Sequence, residues 1–363
     1  MNVFDYITWR GDLTFGASPF NEVDNLIFAM LTFIDYHGLA PETPLGTPVK
    51  LSDCLRAFDE RNPHGEDFGP IIPSQTNDLF RQAARSVRFS DVYVTYFKNE
   101  ISEEAQVQFS AVTFILPDNS LFIAFRGTDD TLVGWREDFN LSFTCPVPAQ
   151  EKAAAYLTDI ASVYSGGIRL GGHSKGGNLS VYAAAFCPEH VRARIINTYS
   201  NDGPGFLPEI IESDGYRAVA DRVVTLVPQS SVVGMLLEHD GEYHVIESTI
   251  KNGIFQHDPF SWSIVGPSFV HLKQLSKQGE LHNRVIRSWL AKLTPDDRRR
   301  FTETFFGILE SSGAKTVSDL ADGGLEGFMS LLRSIGKTDK QSKDLMIEFF
   351  RRLAEARIEY RES

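Results

Sequence analysis

Ser174 is the residue whose surroundings point most directly to chemistry. It stands in Gly171-Gly172-His173-Ser174-Lys175-Gly176-Gly177, after the short run Ile168-Arg169-Leu170 and before the helix-favouring stretch Leu179 to Phe186. A strand, a tight turn presenting one serine, and a helix make a nucleophile elbow. The residue types follow from that geometry. The serine backbone must turn sharply so that its Oγ stands clear of the sheet. Gly172 and Gly176, two positions either side, carry no Cβ to collide with the backbone packed there. The helix that follows aims free N–H groups and the positive end of its dipole at the site, which favours an oxyanion. The backbone N–H of Lys175 is then one donor of an oxyanion hole.

The second donor is sought in a loop ahead of the nucleophile strand. Leu121-Phe122-Ile123-Ala124-Phe125 is apolar on both faces, as a central strand is. It runs straight into Arg126-Gly127-Thr128-Asp129-Asp130 and then Trp135-Arg136-Glu137-Asp138-Phe139. An α/β-hydrolase supplies the other half of its oxyanion hole from such a loop. Thr128 offers both an N–H and a hydroxyl.

A serine hydroxyl needs a base to take its proton, and the base needs an orienting group. Chain order in this fold is serine, acid, histidine. Among the nine histidines, His257 follows the last expected strand, where the base belongs. His173 is expected to point away from the site in a structural role. His239 and His244 flank the start of the last strand, the wrong end of the sheet. For the acid, Asp202 in Ser200-Asn201-Asp202-Gly203-Pro204-Gly205-Phe206 is favoured. Two alternatives stay open: that Asp202 only caps its turn, and that Ser230 orients the histidine in a dyad. Asp258 is too close to His257 in sequence to be the first choice. This chemistry calls for no metal and no cofactor.

The elements that position these groups are an α/β array. Residues 1–88 read as largely helical, with a buried helix through Leu26 to Ile34, apolar nearly all round, and another from Asp78 to Ser86. From Asp91 the apolar period changes to two. Strands are expected at Val92–Phe97, Val107–Leu116, Leu121–Phe125, Arg194–Tyr199, Arg222–Val227 and Tyr243–Glu247, with a helix at Ala149–Tyr164. Strands alternating with helices predict a mostly parallel sheet covered on both faces. Residues 1–268 thus form the α/β domain. Residues 269–363 read as a C-terminal helical region without a further strand, packed on the core through Phe301, Phe305, Phe306 and Leu309, then Phe328, Leu331 and Leu332. A lid or a partner surface is the other reading of that region.

Composition narrows the class. The 363 residues are 42% hydrophobic and 23% charged, the balance of an ordinary soluble globular protein. A formal net charge of -13 argues against nucleic acid and anionic membrane as partners. Three cysteines without metal-ligand spacing fit a reducing compartment. With no visible secretion signal and no apolar run long enough for a membrane span, a cytoplasmic location is expected. Oligomeric state stays open.

Two motifs together resemble the class 3 lipase branch of the α/β-hydrolases: Phe125-Arg126-Gly127-Thr128 with Trp135 and Asp138, and Gly172-His173-Ser174-Lys175-Gly176-Gly177. Closer still, the chain resembles an uncharacterised bacterial lipase-like family related to that branch. This second resemblance is carried by Lys175 after the serine, Asp202 to Phe206, Pro228-Gln229-Ser230-Ser231 and Gln256-His257-Asp258-Pro259. It implies an α/β-hydrolase fold and a serine hydrolase acting on an acyl ester or lipid-like small molecule through an acyl-enzyme on Ser174. Class 3 lipases place an aspartate where this chain has Pro228 to Ser231. That departure, with a charged Lys175 beside the serine, keeps a second reading in view, a catalytically impaired hydrolase fold used for binding or as a scaffold.

Overall fold

Strands that are apolar on both faces can be covered only by helices on both sides, and this sets the architecture. The computed structural model describes residues 1–240, 243–251, 253–311 and 314–316, with the single positions 319, 344, 347 and 351. One nine-stranded sheet contains β1 (Val49–Lys50), β2 (Tyr93–Ser102), β3 (Val107–Ile115), β4 (Leu121–Phe125), β5 (Ile168–His173), β6 (Ile195–Asn201), β7 (Val223–Pro228) and β8 (Tyr243–Ile246) in chain order. The pair β9 (Ile264–Val265) and β10 (Ser268–Phe269) lies outside it, and β11 (His271–Leu272) closes its edge against β8. Strands β4 to β8 run parallel, and the flanking pairs are antiparallel. This is the mixed α/β architecture with a mostly parallel centre that the strand–helix alternation predicts.

Helices α1 (Val3–Arg10), α2 (Glu22–Leu31), α3 (Leu51–Arg61) and α4 (Gln75–Arg85) cover one face. The other is covered by α6 (Pro148–Val163) and α7 (Lys175–Phe186), with α5 (Leu132–Asn140) preceding them in the chain. Alternation along β4 serves both cores: Phe122 and Ala124 pack with the N-terminal helices, Leu121, Ile123 and Phe125 with α6 and α7. Helix α2 is buried almost all round, as its composition predicts, and Asn21 caps it by accepting from the N–H groups of Val23 and Asp24. Asp24 is fully buried, where it accepts from Arg88 Nε at 2.7 Å and from the Tyr6 hydroxyl at 3.0 Å. The N-terminal helices are thereby fastened to the start of the sheet. Short helices α8 (Glu189–Arg192), α9 (Pro208–Ile211) and α10 (Asp214–Arg217) fill connections, and α11 (Lys277–Ala291) and α12 (Pro295–Ser311) follow the sheet.

Two expectations about the fold need correction. A strand does follow Phe269: His271 and Leu272 pair with Ile246 and Val245. Two residues are too few to display an alternating pattern, and β1 escaped the sequence reading for the same reason. The segment around Trp135 is helix rather than loop. Thr131 caps α5 by accepting from the Gly134 N–H at 3.3 Å, and the helix packs on α12 through Leu132, Phe306 and Leu309. Phe328, Leu331 and Leu332 lie outside the described residues.

Candidate active site

Ser174 stands between β5 and α7 with φ 57° and ψ −132°, a conformation that costs about 1–3 kcal/mol and persists only where the surroundings enforce it. The enforcement is visible in the two flanking glycines. A Cβ on Gly172 would lie 2.2 Å from the Gly176 carbonyl carbon, and one on Gly176 would lie 2.1 Å from the Phe125 carbonyl oxygen. No side chain fits at either position. The turn is closed by the Ser174 N–H, which donates to the Asn201 carbonyl at 3.0 Å.

Asp202 follows Asn201 at the end of β6, itself at φ 50°, and is completely buried. Its Oδ2 accepts from His257 Nδ1 at 2.6 Å, and its Oδ1 accepts from the Ser231 hydroxyl. Because the carboxylate accepts, Nδ1 carries the proton, which leaves Nε2 of a neutral His257 as the free basic nitrogen. The structure brings Asp202 and His257 together across 55 residues of sequence. It does not bring Ser230 to the histidine: the Ser230 hydroxyl is engaged with that of Ser276 at 2.6 Å. Asp258 caps the turn after His257 by accepting from the Phe260 N–H at 3.0 Å.

His173 does not point away. Its Nε2 lies 2.8 Å from the His257 carbonyl oxygen, and the two imidazole rings are 4.4 Å apart. A carbonyl can only accept, so Nε2 of His173 bears the hydrogen. Burial, and the neighbouring His257, hold its pKa well below the usual histidine range. His173 is therefore a neutral prop against His257.

Thr128 follows β4 and is buried. Its hydroxyl donates to Asp138 Oδ2 at 2.5 Å. Among the described residues, the N–H groups of Thr128 and Lys175 have no protein acceptor. The Lys175 side chain turns into the core, where Nζ donates to Gln108 Oε1 at 2.5 Å, the Gln108 carbonyl at 3.0 Å and Glu137 Oε2 at 3.1 Å. Glu137 is fully buried and also accepts from the N–H groups of Gln108 and Ala149. The charge beside the serine is thus consumed by a saturated buried ion pair. Sequence reasoning missed Glu137, because nothing in its spacing marks it as the partner of a lysine 38 residues away.

A cavity of about 530 Å³ receives Ser174, His257, Thr128 and Asp138. Its remaining wall is mostly apolar and includes Phe33, Ile72, Leu236 and Phe255, together with Trp289, Leu290, Leu293 and Phe301 of the α11–α12 region. That volume is within the range of a small-molecule site. Among the described residues there is no cluster of His, Cys, Asp and Glu able to hold a metal, and no helix is long and apolar enough to cross a membrane.

The solved structures to which this chain is similar include three lipase structures. A deletion mutant of the Rhizomucor miehei lipase propeptide complex is 17% identical, with 47% of this chain and 58% of that chain covered, at a TM-score of 0.35. The native form of that complex is 16% identical over 54% and 66% of the two chains, also at 0.35. M37 lipase is 14% identical over 58% and 68%, again at 0.35. The chain thus aligns with less than two thirds of the length of the Rhizomucor lipase. No curated protein matches. The Mbeg1-like family model matches residues 83–307, more than half of the sequence and the whole span from the end of α4 into α12, and the chain belongs to the Mbeg1-like family.

Proposed function

We propose that this protein is a serine hydrolase that cleaves a carboxylic ester by two-step acyl transfer. One observation carries the reading. Ser174 is held at a strained elbow and lines the same cavity as His257, whose Nδ1–H is fixed by the buried Asp202 at 2.6 Å. In the first step Ser174 Oγ bonds to the ester carbonyl carbon while His257 Nε2 takes its proton. The resulting oxyanion is received by the N–H groups of Thr128 and Lys175. The intermediate collapses as the C–O bond to the alcohol breaks and His257 returns the proton to the leaving oxygen. Water then repeats the sequence on the acyl-enzyme, with His257 again the base, and releases the acid. The apolar wall suits an acyl or lipid-like substrate and gives a charged or peptide-like one little to bond with.

The binding-only alternative drew on the missing aspartate at Pro228 to Ser231 and on a charge beside the serine; Asp202 paired with His257 supports an acid from another strand. Lys175 spends that charge on Glu137, so its presence does not weaken the hydrolase reading. The test is labelling of the purified protein with a fluorophosphonate probe, which reports an activated serine and needs no knowledge of the substrate. The wild type should label and turn over para-nitrophenyl esters, and Ser174→Ala should do neither. A folded wild type that fails to label, or a Ser174→Ala variant that keeps full esterase activity, refutes the proposal.

A further inference from the structure

The cavity wall supplied by the C-terminal helices stands apart from the cores that hold the sheet together. Phe301 and Leu293 form a small cluster with Phe139, Trp289 and Phe305, and Phe306 and Leu309 form another with Leu132 and Trp135. Both are distinct from the two large cores on the faces of the sheet. The helices therefore contribute apolar surface to the cavity that Ser174 lines, surface that the sheet does not need for its own burial. They are also tied down by hydrogen bonds. Arg298 Nη1 donates to the Ser142 carbonyl at 2.6 Å, and Nη2 donates to the carbonyls of Leu290 at 2.7 Å and Leu293 at 3.1 Å. One guanidinium thus staples the end of α11 and the turn into α12 to the segment just after α5. Arg136 and Glu310 pair at 2.9 Å, and the Leu132 N–H donates to the Lys315 carbonyl at 2.9 Å.

We infer that α11 and α12 form a fixed ruler that sets the longest acyl chain the site accepts, with Leu290 a specificity-determining residue. The inference rests on the hydrolase reading above and names the part of the substrate those helices meet. Leu290 lines the cavity while remaining only half-buried, so its side chain borders empty space rather than filling the packing between helices. Its carbonyl, not its side chain, takes the bond from Arg298, which lets the side chain be exchanged without removing the staple. A rigid wall predicts a sharp limit. Each methylene the wall covers should raise kcat/KM by up to about fourfold, the equivalent of about 0.8 kcal/mol, and chains beyond the wall should gain nothing or lose.

The experiment uses the full chain and a series of para-nitrophenyl esters from acetate to palmitate, with kcat/KM plotted against chain length. Leu290→Trp removes room for roughly two methylenes, so the long-to-short ratio should fall about tenfold and the limit should move to shorter esters. Leu290→Ala should move it to longer ones. Should tryptophan not be accommodated, as judged by thermal unfolding, Leu290→Phe makes a smaller step in the same direction. An identical length profile in wild type and variants, or a shift of both variants in the same direction, overturns the inference. Fluorophosphonate labelling of the wild type separates the two levels: no labelling overturns the hydrolase reading and the ruler with it, whereas labelling without a shifted profile overturns the ruler alone.

Discussion

Replacing Asp138 by asparagine should make the protein more stable above neutral pH and leave it unchanged in acid. The carboxyl hangs from α5, where Oδ2 accepts the Thr128 hydroxyl. Its Oδ1 is buried without a hydrogen bond, 3.9 Å from Lys175 Nζ. Burial pushes its pKa from 3.8 up to about 6, against the opposing pull of Lys175 and the Thr128 hydrogen bond. The sign follows from proton binding. Between pH 4 and 6 the native state holds this proton while the unfolded chain has released it, so the group's contribution to stability declines as pH rises through that window. Above about pH 7 the ionised native carboxylate costs the full difference. At about 1.36 kcal/mol per pKa unit this is at most about 3 kcal/mol.

Asparagine resembles the protonated carboxyl and keeps an acceptor for Thr128. The stability difference between Asp138→Asn and wild type should therefore be near zero at pH 4 and grow to about 2–3 kcal/mol at pH 8. All other titrations cancel in that difference. Urea unfolding of both proteins across the range measures it directly, with equal m-values as the check that one transition is being compared. A variant less stable than wild type at pH 8 would refute the reasoning, because it would mean that Lys175 more than compensates the buried charge. A difference independent of pH would refute it equally.

Two further substitutions test neighbouring parts of the site. Asp202→Asn should lower kcat by about 10³–10⁴ with the fold intact, because an amide in place of Oδ2 no longer fixes the His257 tautomer; ester turnover beside thermal unfolding measures this, and a loss below tenfold would free Asp202 from the role. Lys175→Met should destabilise by about 3–5 kcal/mol, since it leaves the fully buried Glu137 carboxylate without its cation; the double variant Lys175→Met with Glu137→Gln should recover much of that loss in urea unfolding, and failure to recover would show that the lysine's packing rather than its charge matters.

The elbow was legible because its constraint is local. A serine flanked by glycines at fixed offsets, with strand before and helix after, is a statement about five consecutive backbones. The parallel centre of the sheet was legible for a related reason: its strands span four to seven residues, and β4, Leu121 to Phe125, is an unbroken apolar run. The edge strands β1 and β11 were not, at two residues each. Long-range pairing left no such trace. Nothing in Pro228 to Ser231 says that the second serine, not the first, reaches Asp202. Nothing near His173 says that it supports the carbonyl of His257. The α11–α12 region shows apolar residues at helical spacing, which announces a buried face but not what it faces. Part of that face turned out to border the cavity.

Asn201 explains how the proposed nucleophile and acid are kept in register. Its carbonyl accepts from the Ser174 N–H, its side chain donates to the Gly172 carbonyl at 3.0 Å, and its own peptide leads into Asp202. Both Ser174 and Asp202 occupy positive φ, so each turn carries strain that it cannot hold alone. The Asn201 amide is in turn locked by a reciprocal pair with Asn25 of α2, at 2.8 and 3.2 Å, with both residues fully buried. Removing either member of a buried amide pair of this kind imposes the full desolvation penalty on the partner left unsatisfied, about 1–3 kcal/mol. The two strained turns are therefore over-determined through one residue, and that residue is held by a helix lying before the matched region of residues 83–307. The N-terminal helices are then part of the machinery that shapes the site, and not merely a cover for one face of the sheet.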